Sequence, residues 1–352
     1  MAVTDYPVNH PLAVKLWSRK LAREALKATQ AFKFMGSSSN HLIQVLDDAK
    51  KGTGDRIRVP LRMQLSGRGV GETEELEGNE EALTTYQDDV QINDLAHAVR
   101  VKTTIDSQRV PFDVREEART GLSDWYADRI DTWVFNQLCG NTGQADALYT
   151  GNQAAVAPSS AAGNTRIIYA DGASTSEASL SASQTFSLTM LDTAVNIAKT
   201  ATPLIRPVKV GSDDYYCCFL HPNQVRSLRT STQTGQWLDI QKAAMAGGDV
   251  EDNPIFTGAL GVYNGVVLHE STRIPIAPGT TNVRRAVICG AQAAAIAWGK
   301  GYGEEPKYEE QLFDYGRQFG VSVQTIGGVK KLQFGGVDFG TIVISTWAAS
   351  PA

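Results

Sequence analysis

The sequence carries no basic excess: 33 Lys and Arg stand against 38 Asp and Glu, for a net charge of −5. A dedicated nucleic-acid reader ordinarily shows a strong positive surplus, so that class is disfavoured. No apolar run approaches the roughly 20 residues that a membrane span needs. The longest small-apolar stretch, Cys289 to Trp298, is broken by Gly290 and Gln292. The first twenty residues lack the apolar centre of a secretory leader. Four cysteines are present (Cys139, Cys217, Cys218 and Cys289), without a C-x-x-C pair or other metal-ligand spacing. These absences predict a soluble intracellular product without a disulfide framework. Cys217 and Cys218 adjoin inside Tyr215–Leu220. On a strand their side chains point to opposite faces, and both read as small core residues.

Catalytic constellations are missing as well. Gly67-Arg68-Gly69-Val70-Gly71 and Gly299-Lys300-Gly301-Tyr302-Gly303 lack the spacing that aims successive amides at a phosphate, and read as turn glycines. His10, His41, His97, His221 and His269 are scattered, with no H-E-x-x-H, and no G-x-S-x-G elbow occurs. Carboxylates cluster only at Glu72, Glu74, Glu75, Glu77, Glu80 and Glu81. Mutual repulsion there would spoil a tuned acid–base pair, and no spaced calcium loop is present. The sequence therefore predicts no catalytic, cofactor or metal site.

What is present is a chain of 352 residues, 42% hydrophobic and 20% charged, long enough to bury about three-quarters of its surface. Residues 11–35 place Trp17, Leu21, Ala25, Ala28 and Phe32 at helical spacing within a basic surround. That pattern fits a helix docked on its own core, or an arm docked on a neighbour or scaffold. On the second reading, removal of residues 1–35 exposes no core. Residues 56–65 alternate, with Ile57, Val59, Leu61, Met63 and Leu65 on one face, which predicts a half-buried strand at an edge or bulged at Pro60. A return strand is expected around Val90 and Ile92, with the six glutamates and Arg68 at the tip between them. A two-stranded ribbon is marginal alone and must lie on something. The acidic tip is either a solvated face or a partner contact.

A helix is predicted over 111–138, with Pro111 in its first turn and Gly140 ending it. In residues 151–185, Gly, Ala, Ser and Thr fill 22 of 35 positions, which reads as a surface loop or insertion. Further helices are expected around Leu188–Ala198, after His221-Pro222, and around Trp237–Ala244, with a strand at 215–220. Phe319, Val321 and Val323 alternate, and Gly327-Gly328 and Gly335-Gly336 read as turns. The class is α+β.

Several segments together resemble a known family. Leu76-Glu77-Gly78-Asn79-Glu80-Glu81-Ala82-Leu83, Gln108 through Ala118, Trp125-Tyr126-Ala127-Asp128-Arg129, Arg206-Pro207-Val208-Lys209, Asn253 through Gly261, Gly290-Ala291-Gln292-Ala293, Asp314-Tyr315-Gly316 and Lys330-Lys331-Leu332-Gln333-Phe334 are similar, in order, to major capsid proteins of tailed phages, in the family typified by coliphage N-four. The resemblance implies the Hong Kong 97-type capsid fold. It implies an N-terminal arm (1–50), an extended β-loop (51–105), a peripheral domain (106–185, spine helix 111–138, completed by part of 300–335) and an axial domain (186–300, with the C-terminal strand 336–352). It also implies self-assembly as hexamers and pentamers into an icosahedral shell around double-stranded DNA. Partners would be a scaffolding protein, a portal, a possible decoration protein and packaged DNA held weakly, in a virion assembled in the host bacterial cytoplasm. An encapsulin-like compartment shell is the alternative. Candidate intersubunit residues are Trp17, Leu21, Phe32, Arg68, Glu72, Glu74, Glu75, Glu77, Glu80 and Glu81. Residues 52–101 contain no lysine, so the covalent lysine–asparagine links of some relatives are not expected in this loop.

Overall fold

A computed structural model describes residues 30–47, 54–62, 65, 67–83, 85–102, 113–161, 164–172, 174–230, 259–300 and 306–350. Trp17, Leu21 and the helix expected around Trp237–Ala244 lie outside the described residues. The chain divides into two compact units. The smaller draws its described residues from Ala96–Trp125 and Tyr308–Gln324, the larger from Lys27–Leu95, Tyr126–Lys307 and Thr325–Ala352. Among the described residues no helix is long and apolar enough to cross a membrane.

In the larger unit a mixed sheet is ordered Ile167–Tyr169, Thr341–Trp347, Val283–Cys289, Asp213–Leu220, Val266–Glu270, Gly261–Tyr263, with Val208–Val210 also on Asp213–Leu220. These strands are nearly continuous apolar runs because the sheet is covered on both faces. One face carries Cys218, Leu220, Val266, Leu268, Ala286, Ile288, Ile342 and Ile344. These pack with Leu188, Leu191, Val195 and Ala198 of the helix Leu188–Thr200, and with Val225 and Leu228 of the helix Pro222–Thr230. On the other face Phe219 meets Phe135 edge-on at 5.4 Å and Phe34 at 5.2 Å. Cys217 and Cys218 are fully buried. Burial pushes all four thiols up, Cys139 to about 12, so they are inert packing groups.

The long helix spans Val114–Leu138, 25 residues and about 37 Å at 1.5 Å per residue. It starts three residues later than the sequence predicts. Asp113 is the reason: its Oδ1 accepts from the amides of Arg115 at 2.8 Å and Glu116 at 3.4 Å, taking two of the unpaired first-turn donors. Gly140, at φ 61°, ends the helix as expected, and Asn141 N donates back to Asn136 O at 2.9 Å. Trp133, Val134, Phe135 and Leu138 are buried, so the second half is core on nearly every side. In the smaller unit, exposed arginines stack on rings: Arg100 on Phe313 at 4.1 Å, Arg115 on Phe319 at 5.3 Å and Arg119 on Tyr308 at 5.2 Å. Val321 and Val323 are buried, as their alternation predicts.

Two expectations are overturned. Residues 151–185 are not a surface insertion. Asn152, Ser159 and Arg166 are buried, Ile167–Tyr169 is a sheet strand, and Glu177 holds the buried Arg285 at 2.6 and 2.8 Å. Small residues there let backbones touch. A Cβ on Gly151, which sits at φ 81°, would fall 2.7 Å from Val329 O. Gly327 and Gly328 do not form a turn either. They lie within the strand Gln318–Lys331, opposite Trp298 and Ala297. A Cβ on Gly328 would stand 1.9 Å from Gln91 O, and one on Gly327 would strike the Trp298 ring at 2.8 Å. Glycine inside a strand here marks close backbone approach. Gly335-Gly336, with φ 60° and 78°, does make the predicted turn, between Gln333–Phe334 and Val337–Asp338.

Candidate functional site: the extended loop and the root of the arm

The alternation of residues 56–65 builds the strand Arg56–Arg62, which pairs antiparallel with Thr85–Gln91 in a sheet of two strands. Pro60 opposes Gln87; both strands are edges, so the missing amide breaks no inner ladder. Ile57 and Val90 are buried, and with Val59 and Leu61 they pack on Leu46, Ala295, Ala297, Leu332, Phe334 and Phe339. The apolar face at the loop's base is therefore covered by its own chain. Asn93–Val101 does not extend this ribbon but pairs with Gln318–Lys331.

Polar groups clamp the same base. Lys330 Nζ pairs with the carboxylate of Asp88 and donates to Asp89 O at 3.0 Å. Gln333 N donates to Asp88 Oδ2 at 2.9 Å. Asn152 Nδ2 donates to Gly327 O at 2.7 Å and Asn93 O at 3.2 Å. Arg58 and Asp89 pair across the strands at 3.0 Å, which holds the Asp89 carboxyl below the usual range. A groove of about 350 Å³ runs between Arg56, Gln87, Asp88, Asp89, Gln91, Gln153 and Lys330. Asp88, Asp89 and Lys330 there already hold protein partners, so the groove marks a joint between the loop and the strand beneath it. Sequence reading missed this clamp because its residues lie up to 245 positions apart.

The tip, residues 67–83, is exposed almost throughout, and Leu65, Leu76 and Leu83 are 58%, 64% and 57% exposed. Its glutamates divide into two groups. Glu74 pairs with Arg68 and accepts from Gly71 N at 3.2 Å, which lowers its pKa. Glu81 accepts from Gly67 N at 2.6 Å and Glu80 from Gly78 N at 2.7 Å. Among the described residues Glu72, Glu75 and Glu77 make no side-chain hydrogen bond or ion pair. The tip thus organises half of its charge internally and leaves three carboxylates open.

At the start of the described chain a short 3₁₀ turn, Ala31–Phe34, packs into the larger unit. Asp131 on the long helix accepts from Gln30 N at 2.9 Å and Ala31 N at 2.8 Å. Ala31, Phe34 and Met35 are buried and Phe32 is half-buried. This corrects the expectation that removing residues 1–35 spares the core: Phe34 is core. Among the described residues no cluster of His, Cys, Asp or Glu could hold a metal ion.

The sequence profile of the phage capsid protein family matches residues 5–350. The major capsid protein of Pseudomonas phage KPP25 is 29% identical over 363 residues, covering 93% of each chain. The capsid of Ralstonia phage GP4 superposes with a TM-score of 0.83 at 31% identity, over all of both chains. That of cyanophage Pam1 superposes at 0.77 and 22%, over 99% of this chain and all of that one. These comparisons favour a phage shell over an encapsulin-like compartment. With the clamped loop, the long helix and the mixed α+β body, they establish that the chain belongs to the phage capsid protein family, as a major capsid protein of the Hong Kong 97-type fold.

Proposed function

We propose that the subunit forms hexamers and pentamers that close into an icosahedral shell around double-stranded DNA, and that its contacts are made by the arm and the loop tip. In this reading the arm is the part of 1–50 that precedes the buried turn Ala31–Phe34, the loop is 51–105, the peripheral domain 106–185 with part of 300–335, and the axial domain 186–300 with 336–352. Its role is structural and not catalytic. The observation that carries the contact assignment is the asymmetry of the extended loop. Its base is sealed by its own chain, while its tip offers Leu76, Leu83 and the open carboxylates of Glu72, Glu75 and Glu77. Arg68, Glu74, Glu80 and Glu81 shape that tip from within. A neighbour bearing Lys or Arg relieves the repulsion among the open glutamates. Each exposed pair contributes only about 0–1 kcal/mol, but repetition over a closed lattice multiplies it. Trp17, Leu21 and Phe32 supply the arm's apolar contact with a neighbour or a scaffolding protein.

Assembly takes place in the host bacterial cytoplasm, on a scaffold and around a portal, with a decoration protein as a further partner. The net charge of −5 suits a lining that holds packaged DNA only weakly, because tight binding needs many cationic phosphate contacts. The test is electron microscopy and sedimentation of the full chain across a salt series. Wild type forms shells that loosen as salt rises and the Debye length shrinks. Glu75→Lys with Glu77→Lys loses assembly at low salt. Shells of the double variant that match wild type at every ionic strength would show that the tip faces water.

A further inference from the structure

The hairpin of Lys307–Phe313 and Gln318–Lys331 ends in a tight turn. Gly316 N donates to Phe313 O at 3.1 Å, and Arg317 N to Asp314 O at 3.0 Å. Asp314, Tyr315 and Gly316 all have positive φ, at 47°, 53° and 83°. The four-residue connection Asp314–Arg317 contains the β-turn Phe313–Gly316, whose central positions Asp314 and Tyr315 are both left-handed, a turn that Asn-Gly or Asp-Gly supplies with least strain. Asp314 fits that requirement. Tyr315 does not, because a bulky side chain crowds its own backbone in the left-handed region.

Nothing within the hairpin compensates. Tyr315 is 106% exposed, the highest value among the exposed large hydrophobic residues, and Leu312 beside it is 63% exposed. The neighbouring charges answer one another, Arg317 to Asp314 at 3.6 Å. The turn therefore projects a rigid aromatic ring and a leucine from a locally neutral tip, at a position where backbone preference alone favours glycine. Strained residues of this kind persist where they serve a site. A nucleic-acid partner does not fit, since the one cation at the tip is already paired and phosphate needs a free one. A second copy of this chain does fit: a capsid subunit presents every such tip to identical neighbours, and Tyr is among the residues that dominate protein interfaces.

We infer that Tyr315 is an intersubunit anchor, its ring and Leu312 seating in an apolar recess of a neighbouring copy of the same chain. The inference rests on the shell-forming function proposed above. The experiment uses the full-length protein with Tyr315→Gly and Tyr315→Phe. Gly relieves the left-handed strain, so the unassembled Gly variant melts at the wild-type temperature or above. It nevertheless assembles poorly, with the critical concentration for shells raised about tenfold, as for loss of one dominant interface residue. Phe keeps the ring and assembles like wild type. If wild type forms shells and the Gly variant forms them at the same critical concentration, Tyr315 is only a turn residue and the inference falls while the assembly function stands. If wild type forms no hexamers, pentamers or shells, the assembly function itself falls and the anchor with it.

Discussion

Lys331 Nζ lies 3.0 Å from Asp338 Oδ2, and both side chains are completely buried. Burial pushes the Lys331 ammonium below the usual lysine range, with Asp338 opposing that shift. Asp338 also accepts from Ser159 N at 3.2 Å and Gln333 Nε2 at 2.5 Å. One carboxylate thus joins the strand that underlies the loop to the segment after the long helix. Asp338→Asn leaves the ammonium buried beside a neutral amide, and loss of one partner of such a pair costs about 3–5 kcal/mol. The urea midpoint of the unassembled subunit should fall accordingly. A midpoint within about 0.5 kcal/mol of wild type, the range of ordinary surface substitutions, would mean that water reaches the pair.

Gly328 and Gln91 set the seat of the extended loop. A methyl on Gly328 meets a carbonyl that cannot rotate away. Gly328→Ala should therefore lower stability by about 1–3 kcal/mol, as overpacking does. It should also lift the loop's base from Leu332 and Phe334. Limited proteolysis provides the check, with cleavage between residues 54 and 92 speeding up relative to the rest of the body. An unchanged cleavage pattern and melting temperature would place the loop elsewhere.

Asp131 holds the backbone at Gln30 and Ala31, and its behaviour with pH is specific in sign. Desolvation raises its pKa above the ordinary 3.8, outweighing the amides of Ala31 and Gln30 that lower it. The native state therefore binds this proton more tightly than the unfolded chain does. The resulting stability is fully present below 3.8 and is lost as pH rises through the raised value. Asp131→Asn has no such titration. The wild-type-minus-variant difference in unfolding free energy, followed by thermal melts from pH 3 upward, should decline across that window. A difference independent of pH would show a solvated carboxylate and a turn at Ala31–Phe34 held by other contacts.

Local physics made much of the molecule legible in the sequence. Period-two alternation set the strand around Ile57 and the buried valines Val321 and Val323. Helical spacing set Leu188–Thr200 and the long helix, and paired left-handed glycines set the turn at Gly335-Gly336. Adjacent cysteines on a strand had to face opposite sides of a sheet, and both are buried. Each of these outcomes depends on neighbours within a few positions, which a sequence states outright. The tertiary structure alone decided that Gly327-Gly328 is a contact point inside a strand, since glycine permits both a turn and a close approach. It alone placed the Gly/Ala/Ser-rich stretch 151–185 inside the fold, because small side chains that favour loops also let Gly151 lie against Val329. It alone joined Asp131 to Ala31, Lys330 to Asp88 and Asn152 to Asn93. Those partners are far apart along the chain, and their pairing follows from which distant elements pack together, a property that no local window contains.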